Sequence, residues 1–474
     1  MAADYPARAY AWYVVTILTL AHVVSFLDRQ ILALMVGPIK QDLGISDTQM
    51  SLLLGFAFAI FYTFLGVPIG RLADRRSRRN IITVGVTIWC AMTAMCGLAR
   101  SYWQLFLARV GVGVGEATLT PSALSIISDY FPREYRGRAV GFYNMGVSVG
   151  AGLAMIVGGQ VIAFVAKAPP VILPIVGELA AWQTVFMIVG LPGLVIAMLM
   201  RTVREPVRHG KIQIADNSSD DENISLRDTI DFLVKRRRTY IGLAATVSGS
   251  TILGYGFLSW LPEMYIRTWG WSIAQVTVAQ GIVLLIAGPV GVNLAGWWAD
   301  RSFKRGDKSA HARMLIISAP LMLIASALLP LMPTGELAIV LFIPHIIGAA
   351  GITAAGGAAL MLITPNQLRG QVTAIYYLII SLAGLTLGPT SVALFTDYFF
   401  RDESQLRYSL AIVGLLAGLL AVTSAILTAR PYKKSIEEAE SCINGSWHNR
   451  SVRHKGNHPA SRPLFTAYLS PRFL

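Results

Sequence analysis

Gly70-Arg71-Leu72-Ala73-Asp74-Arg75-Arg76-Ser77-Arg78-Arg79 and, 226 residues further on, Gly296-Trp297-Trp298-Ala299-Asp300-Arg301-Ser302-Phe303-Lys304-Arg305 are two copies of one phrase. Each follows an apolar run of membrane-spanning length and packs a glycine, an acid and a basic cluster into a tight turn. A weaker pair agrees in phase: Arg136-Gly137-Arg138-Ala139 and Arg369-Gly370-Gln371-Val372. Two related halves in tandem inside a bilayer are the repeat signature of a secondary transporter.

The rest of the chain fits that reading. Of 474 residues, 54% are hydrophobic and 14% charged, too apolar a balance for a water-soluble chain of this length. A helix needs about 20 apolar residues to cross the hydrocarbon. Runs of that length fall at 11–35, 50–70, 80–99, 103–125, 139–166, 181–200, 240–264, 273–297, 313–332, 337–361, 371–396 and 407–429. The sequence therefore predicts an all-α membrane protein of twelve spans in two six-helix halves. Residues 1–200 form the first half and 240–430 the second. Between them, 201–239 reads as a polar linker with a short surface helix near 224–234, and 431–474 as a basic tail. Pro169, Pro170 and Pro174 suggest a structured loop after span five.

The net charge of +14 could suggest nucleic acid, but its distribution argues otherwise. With both termini on one side, that side carries 32 of the 40 Lys and Arg residues, the opposite loops carry 6, and Arg29 and Arg109 lie within spans. The bias puts both termini in the cytoplasm. It implies a multi-pass protein of the bacterial inner membrane, acting as a monomer among membrane lipids with no nucleic-acid partner. Span one lacks a small-residue cleavage site and reads as a retained helix. Cys90 and Cys96 lie in span three and Cys442 in the tail, a spacing that makes no metal motif or disulfide framework.

Charges inside the spans carry the functional signal, because each central Asp, Lys or Arg costs ~2.5–3.5 kcal/mol to insert. Asp28 and Arg29 stand in span one, Arg109 and Glu116 in span four. They should face one another or a wet cavity. Opposed helix directions bring Asp28 and Arg109 to similar depth, where they can pair. Glu116 follows Arg109 by two turns, about 10 Å along the same wall. Asp28 and Glu116 are the candidate proton-coupling carboxylates, with Glu116 the better carrier. Arg29, Arg109, Glu116, Asn144, Tyr255, Tyr376 and Tyr377 are the candidate substrate contacts. Gly111, Gly113 and Gly115 read as helix-packing glycines rather than a phosphate loop, since no strand precedes them. His22 and His345 read as packed residues, and Glu263, after Pro262, as interfacial.

In the repeated phrase, Asp74 sits where a carboxylate can stabilise a neighbouring helix N-terminus. Gly70, Asp74, Arg75 and Arg138, with Asp300 and Arg301 in the second half, form a candidate cytosolic gate that closes on the start of span eleven near 367–372.

These motifs resemble the major facilitator superfamily across nearly the whole chain to about residue 430. Within it, Ser25-Phe26-Leu27-Asp28-Arg29-Gln30, Arg109 to Ala117 and Tyr135 to Ala139 look like the Spinster-like family, whose eukaryotic members move sphingosine-1-phosphate or lysophospholipids. The resemblance implies inverted three-helix repeats, alternating access, and Asp28 and Glu116 at coupling positions. Ser77, Trp298 and Phe303 depart from the usual phrase, and span five lacks the glycine–proline pair common in drug antiporters. Few amides line the spans, which disfavours a sugar site. Arginines on an apolar wall suit an anionic head with an apolar tail, such as a lysophospholipid or sphingoid phosphate. A proton-coupled organic anion or drug carrier is the alternative, and a non-transporting lipid sensor a second. No catalytic constellation or cofactor is implied; the proton is the expected coupling ion.

Overall fold

The computed structural model describes residues 6–174, 177–207 and 226–452; the side chains of Val67, Asp74, Arg133, Glu134, Leu173, Asn366 and 440–452 lie outside that description. Among the described residues, twelve helices are long and apolar enough to cross a membrane. Spans one to six are Arg8–Ala33, Asp47–Gly66, Arg78–Cys96, Tyr102–Tyr130, Tyr135–Val165 and Ala181–Thr202. Spans seven to twelve are Arg237–Trp269, Ile273–Lys304, Ala310–Leu331, Gly335–Ile363, Gln367–Phe400 and Glu403–Ala439. An even number of crossings puts both ends of the chain on one face, here called the termini face; the other is the far face.

Helix ends show why the chain breaks where it does. Ser46 caps span two by accepting from the Gln49 N–H at 3.2 Å, while the Gln49 side chain accepts from the Ser46 N–H at 3.0 Å. Ser272 and Gln275 repeat this reciprocal cap at the start of span eight. Two orphan N–H groups are satisfied each time. Gly44 and Gly270 precede these caps with φ of +62° and +66°, a left-handed turn that glycine adopts without strain. Residues 44 and 270, 46 and 272, and 49 and 275 are all 226 apart, the offset of the opening phrase, so a second, shorter copy of the duplication marks the far face.

Small residues set the contact between halves. A methyl built on Gly159 of span five would lie 1.9 Å from Thr277 Oγ1 of span eight, and one on Gly152 would lie 2.4 Å from Leu285 Cγ. On the other flank, span two meets span eleven through two π-helical turns, Leu52–Phe56 and Ala383–Leu387. A methyl on Gly55 would sit 2.0 Å from the Leu385 carbonyl oxygen, so only glycine permits this approach. Such close backbone contact is the usual means of helix association where lipid supplies no hydrophobic drive.

Three segments refine the sequence reading. The loop after span five forms a short hairpin, Ile172–Leu173 against Gly177–Glu178. The linker contains a helix at Leu226–Lys235, while its residues 208–225 lie outside the described residues. The last helix does not stop near 430 but runs Leu406–Val452. Tyr432 and Ile436, one turn apart, are buried; Ser435 and Thr239 share a 2.9 Å hydrogen bond, and Arg236 pairs with Glu438 at 3.3 Å. Docking on the start of span seven extends the helix, with residues 453–474 outside the description.

Candidate functional site

Span one presents Ser25, Asp28 and Arg29 within one helical turn. Ser25 Oγ donates to Glu116 Oε2 at 2.7 Å, and Arg29 Nε and Nη2 donate to the same oxygen at 2.6 Å each. Glu116 Oε1 is buried with no hydrogen-bond partner. The Arg29 guanidinium is walled by aromatic rings, with its carbon 4.5 Å from the Phe58 centroid, 4.7 Å from Tyr62 and 5.2 Å from Phe26. Phe58 and Tyr62 are one turn apart on span two and stack at 5.0 Å. The negative ring faces stabilise the cation while keeping water away.

Arg109 is buried and adjacent, 5.8 Å from the Phe58 centroid. Span four approaches this closely because Gly113 lies against the Phe58 carbonyl, which a methyl would meet at 2.5 Å. The packing role expected of the span-four glycines therefore builds the site. The expected pairing of Asp28 with Arg109 is different in the structure: Arg109 Nη1 donates to the Asp28 backbone carbonyl at 3.4 Å, not to its carboxylate. That carboxylate, fully buried, accepts from Thr93 Oγ1 at 3.3 Å, and its Oδ1 has no partner. The helix rotates the Asp28 side chain toward span three, whereas Arg29 turns toward span four.

A cavity opens beside these charges, lined by Phe26, Arg29, Gln30, Ala33, Leu54, Phe58, Arg109, Tyr255, Leu258, Ser259 and Leu385. This lining brings Arg29, Arg109 and Tyr255 together, and Glu116 reaches the cavity wall through Arg29. Asn144, Tyr376 and Tyr377 are not in this lining. Asn144 and Tyr377 are exposed, and Tyr376 is buried beside Tyr377, ring centroids 5.6 Å apart. His22 stacks on Tyr143 at 4.7 Å and His345 on Phe257 at 4.9 Å, so both are packed.

On the far face a charged cluster closes the way in. Arg267 of span seven grips Asp47 of span two with Nη1 and Nη2 at 2.9 and 3.1 Å, and holds Glu263 through Nε at 2.8 Å. Lys40 bridges Asp47 and Glu403, the latter at 2.8 Å. The Thr48 N–H donates to Asp397 at 2.6 Å. Glu263, expected at the interface, is instead buried in this cluster. Its charges come from three separate far-face connections and look ordinary in sequence; the duplicated turn at Ser46 was the available signal.

On the termini face, Gly70, Arg75, Arg138, Asp300 and Arg301 lie at helix ends, the last four exposed, with Arg301 5.6 Å from the Trp297 ring centroid. The Asp74 side chain lies outside the described residues. Nearby, Arg78 pairs with Asp129, and with Glu205 at 2.8 Å, and so ties span three to span four and to the segment after span six.

Two halves sealed together at one face around a buried charged site are the layout of a membrane transporter. Residues 18–343 and 304–474 match the Major Facilitator Superfamily, and the chain belongs to it. A solved bacterial homologue of the human lysosomal transporter Spinster, inward-facing and unoccupied, is 26% identical with a TM-score of 0.76, covering 92% of this chain and 99% of that one. An MFS-type efflux pump of Mycolicibacterium smegmatis is 25% identical over 92% of this chain and 97% of its own. A probable L-galactonate transporter of Escherichia coli is 28% identical over 64% of each.

Proposed function

We propose that this transporter moves an amphipathic substrate with an anionic or zwitterionic head, a lysophospholipid or sphingoid phosphate, across the bacterial inner membrane in exchange or together with protons. The carrying observation is the cavity lining: two arginines beside six purely apolar side chains, with Gln30, Ser259 and Tyr255 the remaining polar groups. Guanidinium forks match phosphate, and the apolar wall suits a chain. With both termini in the cytoplasm, as the Lys and Arg bias supports, the sealed far face is the outer one, which fits an inward-facing state. Gly70, Asp74, Arg75, Arg138, Asp300 and Arg301 then belong to the opposite, cytosolic gate.

Charge balance favours Asp28 over Glu116 as the proton carrier. Glu116 is engaged by Arg29 and Ser25, whereas Asp28 has one hydroxyl donor and an orphan oxygen in full burial. An organic acid is the second reading, supported by the sugar-acid relative, and the scarcity of amides and hydroxyls around the arginines weighs against a polyhydroxylated one.

Purified protein in liposomes tests the reading. Arg109→Ala should weaken binding of a phosphate-headed single-chain lipid by about 1.5–3 kcal/mol, the worth of a hydrogen bond to a charged group, and leave its head-removed analogue nearly unaffected. Equal losses for both ligands would sink the head-group assignment. Tight binding without movement down any gradient would make the protein a sensor.

A further inference from the structure

The linker helix Leu226–Lys235 divides its circumference into three sectors. Thr229 and Phe232 are buried on the protein, where the Thr229 hydroxyl donates to Gln371 Oε1 at 2.6 Å and the Phe232 ring meets Tyr240 at 5.7 Å. Leu226, Ile230 and Val234, each one turn from the next, form an exposed apolar stripe, 59%, 46% and 55% accessible. Arg227, Asp231 and Lys235 occupy the third, polar sector. At about 100° per residue, the apolar stripe lies between the docked and polar sectors. The helix is followed at once by Arg236, Arg237 and Arg238, where span seven enters the membrane. Arg237 and Arg238 are exposed, whereas Arg236 is engaged with Glu438 and the Phe232 ring.

We propose that this helix lies in the bilayer interface, its Leu226–Ile230–Val234 stripe among lipid chains and its basic residues on anionic headgroups. The stripe is too apolar to favour water. Between 226 and 238 five basic residues stand against Asp228 and Asp231, giving a charge complementary to an anionic leaflet. Attachment to the start of span seven keeps the helix at the depth where a stripe facing the membrane meets acyl chains. Through Thr229 and Gln371 the seated helix also holds the start of span eleven, so lipid charge acts on the segment expected to form the gate. This placement does not depend on which substrate is carried.

The test uses the full chain with Cys442→Ser, Cys90 and Cys96 being buried, and a single environment-sensitive fluorophore on Ile230→Cys or Asp231→Cys. Proteoliposomes of phosphatidylcholine alone, or mixed with phosphatidylglycerol, carry quenchers on the acyl chains. The probe at 230 should be quenched strongly and that at 231 little, with quenching at 230 increasing when phosphatidylglycerol is present. Replacing Arg227, Lys235, Arg237 and Arg238 by Gln should remove the phosphatidylglycerol dependence, at about fivefold in seating per charge. Equal quenching at both sites, indifference to headgroup charge, or protection at 230 from lipid and aqueous quenchers alike would overturn the proposal. The last result would mean that a protein segment covers the stripe. Leu226→Cys and Val234→Cys repeat the measurement if Ile230→Cys does not fold.

Discussion

Arg267 and Asp47 meet fork to fork across the boundary between the halves, at 2.9 and 3.1 Å, and Asp47 is fully buried. A bidentate pair of this kind combines charge with direction. Because it joins the halves only while the far face is shut, it stabilises one state of the cycle over the other.

Asp47→Asn should therefore shift the protein toward the state open on the far face. Loss of a charged hydrogen-bond pair is worth about 1.5–3 kcal/mol, so that population should rise about tenfold or more. A cysteine placed at Ala33, in the cavity lining, would report this as faster labelling by a membrane-impermeant reagent from the far side. An unchanged labelling rate would mean that Thr48, Asp397 and the small-residue contacts suffice for closure.

Gly55→Ala tests the contact between the π-helical turns. A methyl there would lie 2.0 Å from the Leu385 carbonyl, backbone that cannot move aside without separating spans two and eleven. Transport should fall severely while the protein still reaches the membrane, and labelling from the far side should rise as it does in Asp47→Asn. Gly66→Ala, with nothing within 4 Å of the added carbon, is the matched control.

Asp28→Asn and Glu116→Gln should separate coupling from architecture. If Asp28 carries the proton, Asp28→Asn abolishes the response to an imposed pH gradient and preserves binding. Glu116→Gln weakens the acceptor of Arg29 and Ser25, so its main effect should be loss of thermal stability. Retained proton dependence in Asp28→Asn would return the role to Glu116.

The termini face offers a pH prediction. Partial burial pushes the Glu205 carboxyl up, but hydrogen bonds from Arg78, the Arg79 N–H and Ser77 outweigh it and hold it below the ordinary carboxylate range. A folded-state value lower than the unfolded one gives stability that is complete at neutral pH and fades as pH falls through the folded value. Glu205→Gln should be less stable than the parent in detergent at pH 7, by about 1.5–3 kcal/mol. The difference should shrink steadily below about pH 4; a gap independent of pH would show that charge is not involved.

The bilayer made much of the fold legible in sequence. A chain that must satisfy its backbone within lipid forms helices wherever apolar runs reach spanning length. Asp28, Arg29, Arg109 and Glu116 were legible for the same reason, since charge in such runs needs a partner. Their pairing was not. Helix direction gives depth, but the angle around the axis decides that Arg29, not Asp28, faces Glu116, and one residue turns a side chain by about 100°. Lys40, Asp47, Arg267 and Glu403 escaped notice, and Glu263 read as interfacial, because each is a common charge near a helix end whose meaning comes only from assembly. The Gly-x-Ser-x-x-Gln turns at 44 and 270 were readable as a second repeat, being identical at their defining positions.

Those twin turns differ at the residue after the serine, Asp47 in one and Ile273 in the other. Duplication supplied matching scaffolds, and divergence electrified only one. The far face is consequently fastened by charge where the ends of spans two, seven, eleven and twelve meet, while spans five and eight meet through glycine, threonine and leucine. Opening that face must therefore break charged contacts at the Asp47 edge, whereas the seam of spans five and eight asks only that small side chains part.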